Sequence, residues 1–130
     1  MHLESNTTTV NKSQEELFNF LSDVKNFETI MPDSIQRFEL LDENSFLFQL
    51  KGMPEIGLQI KDKTPHSQIV LGAKSDKFPF TLKADLTPIS ENQTEAQLIF
   101  DGEFNAMMAM MVKSPLKNFI NTLAEKIGQL

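Results

Sequence analysis

The sequence predicts an α+β fold, in which an antiparallel sheet of six to seven strands is covered by one long C-terminal helix. Three observations predict it. Apolar and polar residues alternate from Phe38 to Phe100, as expected for an antiparallel sheet with one buried face. Apolar residues then recur at spacings of three and four from Leu116 to Leu130, as on a helix with one buried face. Near the start, Ser13 and Glu16 form a capping box that opens a shorter helix.

The early part of the chain predicts one strand and two short helices. Residues 3–10 are polar and threonine-rich, which favours a strand because threonine is β-branched. The helix opened by Ser13 should end near residues 22–23. A second short helix, over about residues 26–31, should stop at Pro32, because the residue before a proline avoids helical geometry. Two small helices are therefore expected after the first strand.

The middle of the chain predicts short strands joined by tight turns. The inward-facing apolar positions alternate with polar ones, and the turns fall at residues 42–44, 52–55, 64–67, 76–77 and 88–93. The strands that this pattern predicts are residues 38–40, 46–50, 56–60, 69–73, 78–86 and 94–100. Only the final helix is long enough to cover the apolar face of such a sheet.

The final helix, in residues 104–130, is predicted to be broken or kinked at Ser114-Pro115. Proline removes a backbone hydrogen bond inside a helix, whereas serine before proline suits a helix start. The apolar face before the proline also points in a different direction from the face after it. We expect residues 116–130 to be anchored in the core and residues 104–112 to face something else.

Composition restricts the functional classes. At 130 residues the chain suits one domain, residues 1–130. A net charge of −6 argues against nucleic acid and against anionic membranes as partners. No apolar run approaches the roughly 20 residues of a membrane span, and the N-terminus lacks the features of a signal peptide. We therefore expect a cytoplasmic protein.

The opening of the chain resembles the START-like SRPBCC superfamily. Residues 10–13 lead into 16–23, and the pairs Asn26-Phe27 and Met31-Pro32 follow. The order of elements and the closing helix fit the same superfamily, and the resemblance covers the whole chain. It implies the helix-grip fold of birch-pollen-allergen-like proteins, polyketide cyclases and lipid-transfer domains, here as a small stand-alone member. It also implies a cavity between sheet and helix, which in such proteins commonly holds lipids, sterols or polyketides.

Residues suited to catalysis or metal binding are scarce. The predicted inward face carries no ionisable residue between Phe38 and Phe100, whereas acid–base catalysis needs one near the substrate. His2 and His66 are expected at the surface, and the chain has no cysteine. We therefore expect no catalytic residue, no metal site, no cofactor, and no hydrolase or metal chemistry.

The methionines are the most informative side chains. Met107, Met108, Met110 and Met111 lie within five residues, and methionine adapts to varied apolar partners. They either fill an irregular core, form the wall of a cavity, or dock another protein. We expect residues 104–112 and the loop Gly52-Met53-Pro54 to form a cavity mouth. The residues expected to line the cavity are Phe46, Phe48, Met53, Leu58, Phe80, Leu82, Leu98, Phe100, Phe104, Met107, Met108 and Met111.

These features favour a non-enzymatic binding or carrier domain for an apolar small molecule such as a lipid, quinone or polyketide-like compound. Two alternatives stay open. One is an enzyme of the cyclase/dehydratase kind. The other is an interaction module of the co-chaperone-activator kind, using an apolar patch around Met110 or Met53. Homodimerisation through a sheet edge or the methionine segment also stays open.

Overall fold

The computed structural model describes residues 1–51, 53, 55–74 and 79–130. Its strands are β1 (His2–Glu4), β2 (Thr8–Val10), β3 (Ile35–Asp42), β4 (Ser45–Leu50), β5 (Ile56–Thr64), β6 (Gln68–Ala73), β7 (Phe80–Ser90) and β8 (Gln93–Gly102). Its α-helices are α1 (Gln14–Leu21) and α2 (Ala106–Gly128), and a 3-10 helix spans Val24–Ile30. The predicted turn at Asp76-Lys77, and Gly52, Pro54 and Phe78, lie outside the described residues.

The sheet is antiparallel throughout and confirms the predicted fold class. Its order is β1-β8-β7-β6-β5-β4-β3, and β2 also pairs with β8. The predicted first strand is divided into β1 and β2 because Ser5 interrupts the ladder. The Leu98 N–H donates to Ser5 Oγ at 2.9 Å, and the Ser5 N–H donates to the Leu98 carbonyl at 2.8 Å. A buried serine side chain thus replaces one backbone bond of the ladder.

The two short helices form where the sequence predicts them. The Glu16 N–H donates to Ser13 Oγ, and the Glu16 carboxylate accepts from the Ser13 N–H, which completes the capping box. Asp23 caps the 3-10 helix by accepting from the Lys25 N–H at 3.1 Å. Lys126 of α2 donates to the Met31 carbonyl at 2.7 Å. This contact ties the end of α2 to the end of the 3-10 helix.

Helix α2 is continuous, so the predicted break at Ser114-Pro115 is wrong, whereas the alternative of a kink there stays a prediction. The helix begins after Asn105, whose Oδ1 accepts from the Met108 N–H at 2.8 Å, and it runs through Pro115. The apolar face continues across the proline, since Val112 and Leu116, four residues apart, are both buried. Tertiary burial on both sides outweighs the one backbone bond that proline removes.

The core lies between the inner face of the sheet and α2, as predicted. Leu116, Phe119, Ile120, Leu123 and Ile127 of α2 are all buried. Phenylalanine rings join the sheet to this helix and to the 3-10 helix. Phe46 packs against Phe27, Phe38 and Phe48, and Phe48 stacks on Phe119 with ring centroids 4.9 Å apart.

A charged contact attaches β1 to β8. His2 Nδ1 lies 2.5 Å from Asp101 Oδ1, and His2 Nε2 lies 3.7 Å from Glu4 Oε2. The hydrogen bond to Asp101 is the main reason that the pKa of His2 is raised above its ordinary value of 6.5. Because the pKa of His2 is higher in the folded state than in the unfolded state, the contact stabilises the fold at pH values below the unfolded-state pKa of about 6.5. That contribution disappears as the pH rises through the folded-state pKa.

We expect an NMR titration of the His2 ring to give a midpoint above 6.5, because the Asp101 carboxylate favours the charged imidazole. Asp101→Asn should lower the midpoint toward 6.5. Glu4→Gln should lower it less, since Glu4 contributes less than Asp101. An unchanged midpoint in Asp101→Asn would mean that this contact does not form in solution.

Candidate functional site

An apolar cavity lies between the sheet and the N-terminal half of α2. Strands β5 to β8 form its floor, and α2 with the segment before it forms its roof. The volume inside is about 50 Å³. The described lining residues are all apolar: Met53, Ile56, Gly57, Leu58, Ala73, Phe80, Leu82, Phe100, Phe104, Met108, Val112, Leu116 and Phe119.

Two sets of aromatic rings shape this cavity. Phe80 and Phe100 pair with centroids 5.1 Å apart, and Phe100 and Phe104 pair at 6.1 Å. Phe119, stacked on Phe48, borders the opposite side. Gly102 permits the first set to form, because a Cβ atom there would lie 2.8 Å from the Phe104 ring and 3.1 Å from the Phe100 ring. The chain thus keeps a glycine where three rings converge.

The structure brings together many of the residues predicted to line a cavity. Those that line it are Met53, Leu58, Phe80, Leu82, Phe100, Phe104 and Met108. Phe46, Phe48 and Leu98 are buried in the core beside it. Met107 and Met111 lie outside it, with exposed fractions of 74% and 67%. Their predicted position in the wall is therefore corrected to the solvent-facing side of α2.

Several lining residues were absent from the predicted set. Val112, Leu116 and Phe119 belong to α2, and Ile56 and Ala73 belong to the ends of β5 and β6. The sequence did contain a pattern that predicts the helical lining residues. Spacings of four, four and three separate Met108, Val112, Leu116 and Phe119. This is the face that an unbroken helix presents to the sheet.

The cavity is smaller than a ligand site usually is. Pockets that hold small molecules commonly measure about 300–1,000 Å³, whereas this cavity measures about 50 Å³. An apolar guest would therefore have to displace part of the wall. Met108 and Phe104 are only partly buried and pack against the core from its edge. Ile56 and Phe80 are lining residues of the same kind, and Met108 has the most flexible side chain of the four.

Two other hollows are poorer sites for an apolar molecule. A groove of about 630 Å³ on the outer face of the sheet is open to solvent and lined in part by His2, Gln59, Lys61, Asp101 and Glu103. A deeper space of about 10 Å³ lies among core residues, with Leu82 between it and the main cavity. The first is too polar to shelter an apolar guest, and the second holds at most about one water molecule.

The described residues provide little chemistry for a reaction at this cavity. None of its described lining residues has a titratable side chain. In the part of the chain that the structure describes, no three His, Asp or Glu side chains are grouped so that they could hold a metal ion. Across the same residues, no helix is long and apolar enough to cross a membrane.

No family model and no curated protein matches the sequence. Solved structures do match the fold. A START superfamily protein from Mycobacterium smegmatis is 16% identical, with a TM-score of 0.69, and the match covers 98% of this chain and 97% of that one. A conserved protein from Geobacillus kaustophilus is 18% identical, with a TM-score of 0.68 and coverage of 99% and 93%.

An enzyme has the same architecture. Norcoclaurine synthase from Thalictrum flavum, solved in complex with dopamine and hydroxybenzaldehyde, is 9% identical, with a TM-score of 0.73. That match covers 99% of this chain and 84% of the enzyme. At such identities the likeness concerns the fold alone. The chain therefore has the START-like helix-grip fold, an antiparallel sheet closed around a long C-terminal helix.

Proposed function

We propose that the protein is a binding or carrier domain for an apolar small molecule, held between the sheet and α2. The observation that carries the proposal is the cavity in which every described lining residue is apolar. Such a wall favours a guest by removing its apolar surface from water, at about 25 cal/mol per Å². A lipid, a quinone or a polyketide-like compound has surface of this kind.

The mouth of the cavity is the edge where Met108 and Phe104 lie. Both are partly buried and border the cavity. Met53 borders it from the sheet side. Methionine is flexible, so Met108 can move without strain elsewhere. In this proposal the guest enters there, and the buried residues from Leu116 onward hold the rest of α2 in place.

The lining favours a carrier over an enzyme. A cyclase or dehydratase needs a group that accepts or donates a proton within hydrogen-bond reach of its substrate. The described lining offers thioether, aliphatic and aromatic groups only. The interaction-module alternative is favoured by a different observation, the exposed side chains of Met107, Met110 and Met111 on α2. That surface is separate from the cavity.

Met108→Ala tests the carrier proposal. We expect the variant to bind the neutral fluorescent probe N-phenyl-1-naphthylamine more tightly than the unchanged protein, by about threefold or more, because the missing side chain widens the mouth. The free energy of unfolding should change little, since Met108 is only partly buried. Probe titrations followed by fluorescence and denaturant titrations measure the two quantities.

Met110→Ala is the matched control, because Met110 lies on the same helix with 83% of its surface exposed and outside the cavity. It should leave probe binding unchanged. The proposal fails if neither the unchanged protein nor Met108→Ala takes up the probe. It also fails if Met108→Ala costs about 2–5 kcal/mol of stability without any uptake, as in a filled core.

A further inference from the structure

The strand β3 forms an open edge of the sheet. It pairs with β4, and within the described residues no strand pairs with its other side. The opposite edge consists of the short strands β1 and β2, whereas β3 runs for eight residues. Its Leu40 and Leu41 are 44% and 45% exposed. An edge of this length presents unpaired backbone N–H and C=O groups to any strand that fits it.

We propose that β3 pairs in an antiparallel manner with β3 of a second copy of this chain, across a two-fold axis at Phe38. A two-fold axis perpendicular to the sheet places one residue opposite itself. With Phe38 at the axis, Arg37 lies opposite Glu39 of the second copy, and Glu39 lies opposite its Arg37. Side chains directly opposite on neighbouring strands are about 4.5–5.5 Å apart at Cβ. The interface therefore contains two complementary charge pairs.

Charge complementarity selects this register over its neighbours. An axis at Glu39 would place two glutamates opposite each other, and an axis at Arg37 would place two arginines opposite each other. Like charges directly opposite destabilise a strand pair. Charged residues usually protect an edge strand from pairing. Here the opposite signs at positions 37 and 39 instead make the edge complementary to itself.

The contacts within one chain are compatible with this pairing. Arg37 already contacts the carboxylates of Glu39 and Glu55 of its own chain, the latter at 2.6 Å. All three side chains are nearly half exposed, so they can turn toward a neighbour. The same axis places Leu40 opposite Gln36 of the second copy, which covers part of its exposed surface.

The regular part of the edge is short. Register shifts interrupt the β3–β4 ladder between Ile35 and Arg37 and between Leu40 and Asp42. Such irregularities bend an edge strand and limit pairing. The strand pairing therefore extends over only about residues 36–40, symmetrically about Phe38, and we expect a reversible dimer whose population rises with protein concentration.

Charge variants test both the dimer and its register. Arg37→Glu places glutamate opposite glutamate in a homodimer, and Glu39→Arg places arginine opposite arginine. Each variant alone should show a dimer dissociation constant raised by about tenfold or more, measured by sedimentation equilibrium. In an equimolar mixture the two variants are complementary at both pairs. The mixture should dimerise at concentrations where each variant alone is monomeric.

Lys63→Glu and Glu91→Arg carry the same charge changes at exposed positions away from β3. Alone or mixed, they should behave as the unchanged protein does. Circular dichroism checks that all four variants are folded. The proposal is overturned if the unchanged protein stays monomeric at its highest soluble concentration. It is also overturned if Arg37→Glu or Glu39→Arg dimerises as the unchanged protein does, or if their mixture stays monomeric.

A single introduced cysteine tests the axis directly, because the chain has none of its own. In Phe38→Cys the two thiols face each other across the axis, within the Cα separation of about 4.4–6.8 Å that a disulfide needs. This variant should cross-link under mild oxidation. In Leu41→Cys the two thiols lie three residues from the axis on opposite sides of it, farther apart than a disulfide allows, so this variant should cross-link at least about tenfold more slowly. Equal rates, or a faster rate for Leu41→Cys, would rule out an axis at Phe38.

Discussion

Phe119→Ala is expected to lower the free energy of unfolding by about 3–5 kcal/mol. Phe119 is 4% exposed, and its ring stacks on Phe48 with an interplanar angle of 14°. It also borders the apolar cavity, so its removal enlarges an existing space instead of opening a gap that neighbours can close. Because the cost of a truncation rises with the cavity that remains, we expect the upper part of this range.

A denaturant titration with intrinsic far-UV signal measures the change. Asn118→Ala is the control. Asn118 is next to Phe119 in the chain but is exposed, so its truncation should lower the free energy of unfolding far less. A loss below about 1 kcal/mol for Phe119→Ala would contradict the position of this helix face. The larger space should also admit more N-phenyl-1-naphthylamine, provided that the variant is measured at a temperature where it remains folded.

The fold followed from the sequence because its signals are local. The alternation in β7 and β8 places Leu82, Ala84, Leu98 and Phe100 on one face, and all four are buried. The capping box sets the start of the first short helix and Pro32 sets the end of the second, and both act through contacts within a few residues. The division of the first strand could not be predicted in this way. It depends on a bond between Ser5 and Leu98, 93 residues apart, and serine is common in any polar strand.

The candidate site could be predicted only in part. The sheet side was predictable, because a period of two assigns each residue to one face. The helix side was harder, since residues 106–112 are all apolar and their pattern does not fix the rotation of the helix. The spacing of the methionines placed Met107, Met108 and Met111 inward together. The continuous helix turns Met108 and Val112 toward the sheet, in line with Leu116, and leaves Met107 and Met111 exposed.

Leu82→Glu is expected to have the largest effect of the substitutions considered, and it tests whether the cavity is dry. Leu82 is 4% exposed, lies opposite Phe100 and Leu71 in the sheet, and borders the main cavity. None of the described lining residues offers a charged partner or a polar side chain to a carboxylate there. Burial in such surroundings raises the pKa of a carboxyl group by about 3–5 units. At pH 7 the variant should therefore lose about 3.5 kcal/mol relative to Leu82→Gln, because the folded protein keeps the carboxyl group protonated while the unfolded chain ionises it.

Leu82→Gln is the matched control, because glutamine has nearly the same shape and does not titrate. In Leu82→Glu, the folded-state pKa of the introduced carboxyl group would lie above its unfolded value of about 4.3. The two variants should thus have similar stability near or below pH 4, and the difference should widen with rising pH until the folded-state pKa is passed. Denaturant titrations at several pH values measure it. Parallel stability curves across this range would contradict the prediction.

The same comparison bears on the ligand. A space of about 50 Å³ exceeds the roughly 15 Å³ that one water molecule needs, yet cavities with apolar walls generally stay empty. If the introduced carboxyl group ionises at little cost, water must reach position 82, and the cavity is not the dry space that the proposal assumes. If ionisation is costly, the space excludes water. An apolar guest would then enter a dry space in which a polar guest would lose its hydrogen bonds to water, and this outcome would favour the carrier proposal.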